Sequence, residues 1–191
     1  MTQALSLDPR TTALVLIDLQ QGIVSRPLAP YGGAEVVANG ARVADAMRAK
    51  GATVVYVRVP LNELLPLPAD APSRAPDAPP APDEASELVP QARMQPGDLL
   101  VSKRQWGAFY GTDLEQQLRR RGIDTIVIGG IATNFGVEST ARQAFDYGYK
   151  LVFVEDATTS MSNDWHRFAV DNVFTRMGRV RTTQQVIDAL G

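Results

Sequence analysis

The chain has 191 residues, 45% of them hydrophobic, and a formal net charge of −2. That length fits a single domain, 1–191, with a sizeable core, and the charge balance excludes the basic footprint of a nucleic-acid binder. With zero cysteines and one histidine, disulfides, thiol chemistry and a histidine-rich metal site are excluded within one chain.

The N-terminus lacks a basic region followed by an apolar run, so no signal peptide is expected. No apolar run approaches the roughly 18 residues of a membrane span. These features predict a cytoplasmic protein with a small-molecule substrate, no cofactor, no membrane and no nucleic acid.

Thr12–Ile17 is a continuous apolar run that ends at Asp18. Such runs suit a strand covered on both faces, as in a parallel sheet. Ala34 to Lys50 has helical spacing, with Val37, Val43 and Met47 on one face and Gly51 just beyond. Thr53–Val57 predicts a second strand and Leu99–Val101 a short third. Thr112 and Glu115 match a capping box for a helix to about Arg121. Thr125–Ile128 predicts a fourth strand, followed by a helix from about Phe135 to Tyr147. Leu151–Val154 predicts a fifth strand, and Asn163 to about Phe174 a helix. Val180 falls in a short sixth strand, and Thr182–Gln185 caps a final helix through Leu190. The alternation predicts a three-layer, doubly wound α/β fold with a mostly parallel, Rossmann-like sheet of five to six strands.

Residues 60–90 interrupt this rhythm with Pro60, Pro66, Pro68, Pro72, Pro76, Pro79, Pro80, Pro82 and Pro90. Proline at that density prevents a regular helix or central strand. The segment is either a plain surface excursion or a lid or subunit-contact arm, because it leaves the carboxyl end of the second strand.

Ligands of doubly wound sheets bind outside the carboxyl ends of the strands. Asp18, Lys103 and the Ile131–Gly136 turn all fall on that edge. An acid ending an apolar strand is costly unless paired. A nearby lysine would lower the Asp18 pKa and burial would raise it. Gly136 permits a tight strand-to-helix turn, and the helix start favours an anion. Arg58, ending the second strand, suits either a substrate carboxylate or a structural ion pair. Trp106, Phe109 and Tyr110 are pocket or core aromatics. Glu138 and Arg142 are spaced to pair, Asp156 to cap a turn or helix. His166 is expected to be structural or solvent-facing, with no link to the site.

Three segments carry a resemblance: Ile17–Gln20, Val101–Leu114 and Gly130–Val137. In order and in strand context they resemble the isochorismatase-like hydrolases, the cysteine-hydrolase superfamily that includes nicotinamidases. The match covers nearly the whole chain and is nearest the YecD-like branch, which carries glycine at the nucleophile position. The resemblance implies Asp18 as catalytic acid, Lys103 as catalytic lysine and Gly136 at the position where most members carry cysteine. It further implies a cis peptide before Ala132, an anion site at the amides of Ala132 and Gly136, pocket aromatics at Trp106, Phe109 and Tyr110, and a homo-oligomer.

Without a thiol, the covalent route is closed. Isochorismatases offer a non-covalent precedent in which the aspartate protonates a vinyl ether carbon and water then adds, releasing pyruvate. Two positions depart from them: Val59, where they carry glutamine, and Gly107, where they carry serine. The expectation is a non-covalent hydrolase for a small anionic metabolite; the alternative is an inactive member that binds a ligand.

Overall fold

Six consecutive buried residues, Thr12–Ile17, form β1 in the middle of the sheet of a computed structural model. The structure describes residues 4–65, 67–72, 74–75 and 77–191. Residues 1–3 of the N-terminal reading, and Pro66 and Pro76 of the proline series, lie outside the described residues.

After β1 come α1 (Gln21–Val24), α2 (Gly33–Ala49), β2 (Thr53–Arg58), β3 (Leu99–Ser102), α3 (Leu114–Arg120) and β4 (Thr125–Ile131). Then follow α4 (Glu138–Asp146), β5 (Lys150–Thr159), α5 (Asn163–Phe168), α6 (Thr175–Met177), β6 (Arg179–Arg181) and α7 (Thr183–Asp188). The six strands run in the order β3-β2-β1-β4-β5-β6, and every pairing is parallel. The order reverses between β1 and β4, which opens a crevice at their carboxyl ends.

Side-chain alternation along β1 builds both cores. Ala13, Val15 and Ile17 pack with Leu114 and Leu118 of α3, Ala141 and Ala144 of α4, and Phe174. Leu14 and Leu16 pack on the other face with Val36, Val43 and Met47 of α2 and Val186 of α7. The fold is therefore three-layered, with the sheet between two helical layers. Among the described residues no helix is long and apolar enough to cross a membrane.

Two strands outrun their apolar sequence runs. β4 continues to Ile131 and β5 to Thr159, past the charged Glu155 and Asp156, with a register shift between Ile128 and Gly130. Gly130 makes this possible: its φ is +118°, and a Cβ there would run into the Ile17 carbonyl oxygen. Close approach of β4 to the end of β1 brings the following turn beside Asp18.

That turn is not the regular helix start that the spacing predicts. Thr133–Val137 is a wide π turn, and α4 begins only at Glu138. The capping box at Thr112 also fails to form. Thr112 Oγ1 donates to the Ala108 carbonyl at 2.6 Å and accepts from the Leu114 amide at 3.2 Å. Asp113 takes the cap position, so the hydroxyl is not aimed at the third amide. At α7 the predicted box does form between Thr182 and Gln185. Asp156 Oδ1 accepts from both the amide (2.6 Å) and hydroxyl (2.8 Å) of Thr183, and Glu138 pairs with Arg142 at 2.9 Å.

Between β2 and β3 the chain makes short 3-10 turns at Leu61–Glu63, Asp83–Ser86 and Pro90–Ala92. Asn62 closes this excursion on itself by two bonds to the Ala81 backbone, at 2.8 and 2.9 Å. Buried Gln20 pins it to the sheet: its side chain bonds both backbone groups of Val59 at 2.8 Å and the Ser86 carbonyl at 2.9 Å.

Candidate active site

Asp18 leaves β1 with a positive φ of 52°, and its amide donates to the Val57 carbonyl at 2.9 Å. The left-handed backbone aims the carboxyl across the ends of the strands, into the β1/β4 crevice. Lys103, the residue after β3, is fixed by its own amide to the Arg58 carbonyl at 2.9 Å. Its ammonium donates to Asp18 Oδ2 at 2.7 Å and to the Gln105 carbonyl at 3.2 Å. Both side chains are buried.

Position 136 completes the corner. A Cβ there would lie 3.2 Å from Asp18 Oδ2 and 3.6 Å from Lys103 Nζ. Its nearest neighbour would be Ile17 Cγ2 at 3.0 Å, so a side chain at this position would crowd both the end of β1 and the pair, and glycine avoids that crowding. The Ile131–Ala132 peptide at the start of the turn is cis. The fold thus gathers Asp18, Lys103, Gly136 and the Ala132 turn from residues up to 118 positions apart along the chain.

Burial pushes the Asp18 carboxyl up to about 6, against the lowering pull of Lys103. Desolvation wins because the pair is shut away from water, while Lys103 engages only one of the two oxygens. Asp18 Oδ1 is buried and has no hydrogen-bond partner. The other such side-chain atoms among the described residues are on Thr12, Gln143 and Tyr149, all neutral groups. A buried carboxylate oxygen with an open lone pair is expensive to leave empty.

The aromatics separate. Trp106 is half exposed, edge-on to Phe135 with ring centroids 5.0 Å apart, and Phe135 continues to Trp165 at 6.1 Å. Phe135 immediately precedes Gly136, so this aromatic row stands beside the corner; Phe135 lies within the third segment but is not among the aromatics expected at the pocket, and Trp165 lies in no motif. Phe109 is instead buried in the core against Tyr147 and Tyr149, and Tyr110 is exposed. Arg58 bonds Ser102 Oγ at 3.2 Å and Glu87 at 2.8 Å. Gly107 lies against the Gln143 carboxamide, in the space a Cβ would need.

His166 is where sequence reasoning fell short. It is buried, and its Nδ1 lies 2.9 Å from the hydroxyl of Thr133 in the turn. The two residues are 33 positions apart and share no motif, so only the folded chain reveals the link. Among the described residues no three His, Asp or Glu side chains group as a metal site requires.

Comparisons with known proteins bear on the family and the fold. The family description "Isochorismatase domain" matches residues 12–185. The chain is 45% identical to the isochorismatase family protein YecD of Escherichia coli O157:H7, over 97% of this chain and 100% of that one. It is 44% identical to YwoC of Bacillus subtilis (strain 168), over 98% of each. An isochorismatase family protein of Burkholderia thailandensis superposes with a TM-score of 0.90 at 44% identity, covering 98% of both chains. With the family's domain spanning the sheet, the crevice and the corner, the chain belongs to the isochorismatase family of hydrolases.

Proposed function

We propose that the Asp18–Lys103–Gly136 corner hydrolyses a small anionic metabolite without a covalent enzyme intermediate, with an isochorismate-type vinyl ether as one candidate substrate. The observation that carries this reading is the unpartnered, buried Oδ1 of an acid whose pKa is pushed up to about 6. Such a group keeps its proton up to about pH 6, above the usual carboxylate range, and has an oxygen without a hydrogen-bond partner from which to deliver it. In the vinyl ether reading, the proton goes to the terminal alkene carbon, and the π electrons form the new C–H bond. Water adds to the resulting oxocarbenium ion and returns a proton to Asp18. The hemiketal then collapses to pyruvate and an alcohol. Lys103 holds the second carboxyl oxygen and adds positive charge for an anionic substrate. The turn amides of Ala132 and Gly136 supply a further anion site, and the space above Gly136 accommodates the substrate. Trp106 covers it from the side.

Two features point away from isochorismate itself. Gln143 occupies the space a Gly107 side chain would need, and Val59 is clamped by Gln20 through its backbone. The test is to supply isochorismate, then a panel of vinyl ethers, amides and ureides. Pyruvate is followed with a coupled dehydrogenase, ammonia by its release. Turnover that disappears in Asp18→Asn supports the reading. A panel without turnover, while ligands still bind, would make the corner a binding site and sink the catalytic reading.

A further inference from the structure

The site reading leaves one buried ionisable chain unused, and it begins on the turn itself. Thr133 Oγ1 and His166 Nδ1 are 2.9 Å apart, and both residues are fully buried. His166 Nε2 lies 3.4 Å from Glu155 Oε1. Glu155 also accepts from the Tyr31 hydroxyl at 2.9 Å and from Arg167 at 3.4 Å, and the Tyr31 ring stands edge-on to the imidazole at 5.9 Å. Arg167 is in turn held by Asp171 at 2.7 Å.

The direction of each bond follows from the donor inventory. The hydrogen bond from His166, above all, holds the Glu155 carboxyl below its usual range, so it is ionised and only accepts. Nε2 must then carry the ring hydrogen. In the neutral imidazole that leaves Nδ1 as an acceptor, and the Thr133 hydroxyl donates to it. The neighbouring Asn134 is fixed as well, its Oδ1 accepting from Ser160 Oγ at 2.5 Å. Two successive side chains of the turn are thus tied down, Thr133 to His166 of α5 and Asn134 to Ser160, just past the end of β5. A valine would fill the place of Thr133 without needing a buried histidine behind it, so packing alone does not explain the pair.

We propose that His166 is a positioning residue for the anion-binding turn: through the Thr133 hydroxyl it fixes the backbone of residues 132–136 so that the Ala132 and Gly136 amides are held ready for an anionic group. The inference rests on the reading of that turn as an anion site. It assigns the one histidine of the chain to ligand affinity rather than to proton transfer.

The experiment uses the full-length, 15N-labelled protein, titrated separately with inorganic phosphate and with pyruvate. The chain has one histidine, so a single imidazole signal reports the ring. The free protein should show hydrogen on Nε2, and at least one anion should move the Ala132 and Gly136 amides together with the imidazole signal. Thr133→Val should weaken that anion about tenfold, the factor one lost hydrogen bond can supply. Thr133→Ser, which keeps the hydroxyl, should bind within about twofold of the wild type. If Thr133→Val does not fold, His166→Leu replaces it with the same expectation. Amide shifts with unchanged affinity in the apolar variant would overturn the positioning role and leave the anion site standing. Equal weakening in Thr133→Ser would also overturn it. If neither anion moves either amide in the folded wild type, the anion site fails, and the proposal with it.

Discussion

Two buried polar groupings meet at the turn after β4, and they are built to opposite ends. The Asp18–Lys103 corner is left open: one carboxyl oxygen is paired and the other has nothing. The Thr133–His166–Glu155 chain is closed, with both ring nitrogens and both Glu155 oxygens engaged. A buried ion pair is weak evidence for stability, since well-packed apolar side chains often do as well. The contrast teaches that polar groups buried around one turn can be left incomplete on one side and fully paired on the other.

The sharpest break between the two should come from Asp18→Asn. Loss of a general acid is expected to lower kcat by about 10²–10⁴, while His166 variants should act chiefly on affinity. Coupled pyruvate release measures the first, and titration the second. Lys103→Met should cost about 1–3 kcal/mol in urea unfolding at neutral pH, the cost of a buried polar group left without its partner, because the Asp18 carboxyl then takes up a proton rather than stand charged in the interior. The same variant should raise the pH at which activity falls, since Lys103 opposes the burial that lifts the Asp18 pKa.

The two groupings should also differ in the sign of their pH dependence. Asp18 rises from 3.8 unfolded to about 6 folded, so the stability it contributes is present at low pH and is lost as pH climbs through about 6. That loss is about 3 kcal/mol and should be missing from Asp18→Asn. Activity that needs the protonated acid should fall about tenfold per pH unit above the same point. Glu155 is lowered from 4.5, so its contribution is present above that value and is lost as pH falls through the folded pKa. Glu155→Gln should flatten the acid side of the stability profile alone. Smallest of all, Glu63→Gln should change stability by about 0–1 kcal/mol, because its 2.6 Å bridge to Arg104 is exposed. A large effect on turnover from that variant would tie the excursion to the site.

Much of this was legible in the residues because the sheet is buried on both sides. β1 could be bounded to the residue from its apolar run, and the parallel order follows from alternating elements. Asp18 and Lys103 could be placed on one edge for the same reason. The end of β5 was not legible, because Glu155 and Asp156 interrupt the apolar run while the backbone stays paired at Gly130 and Ile131. His166 was hidden because its partner is set by packing of α5 on the turn, which has no periodic signature. Arg58 could be placed at a strand end, but its partner Glu87 comes from the returning limb of the proline-rich excursion, where spacing carries no register.

Gly107 and Gln143 form a small contact with a long reach. Serine at position 107 would overlap the carboxamide that now rests there. The carboxamide is the movable end of a side chain, so the agreement between the two positions is a soft one: serine at 107 requires Gln143 to swing aside rather than the backbone to shift. A directed library that varies the two positions together would sample the pairs in which that rotation is unnecessary.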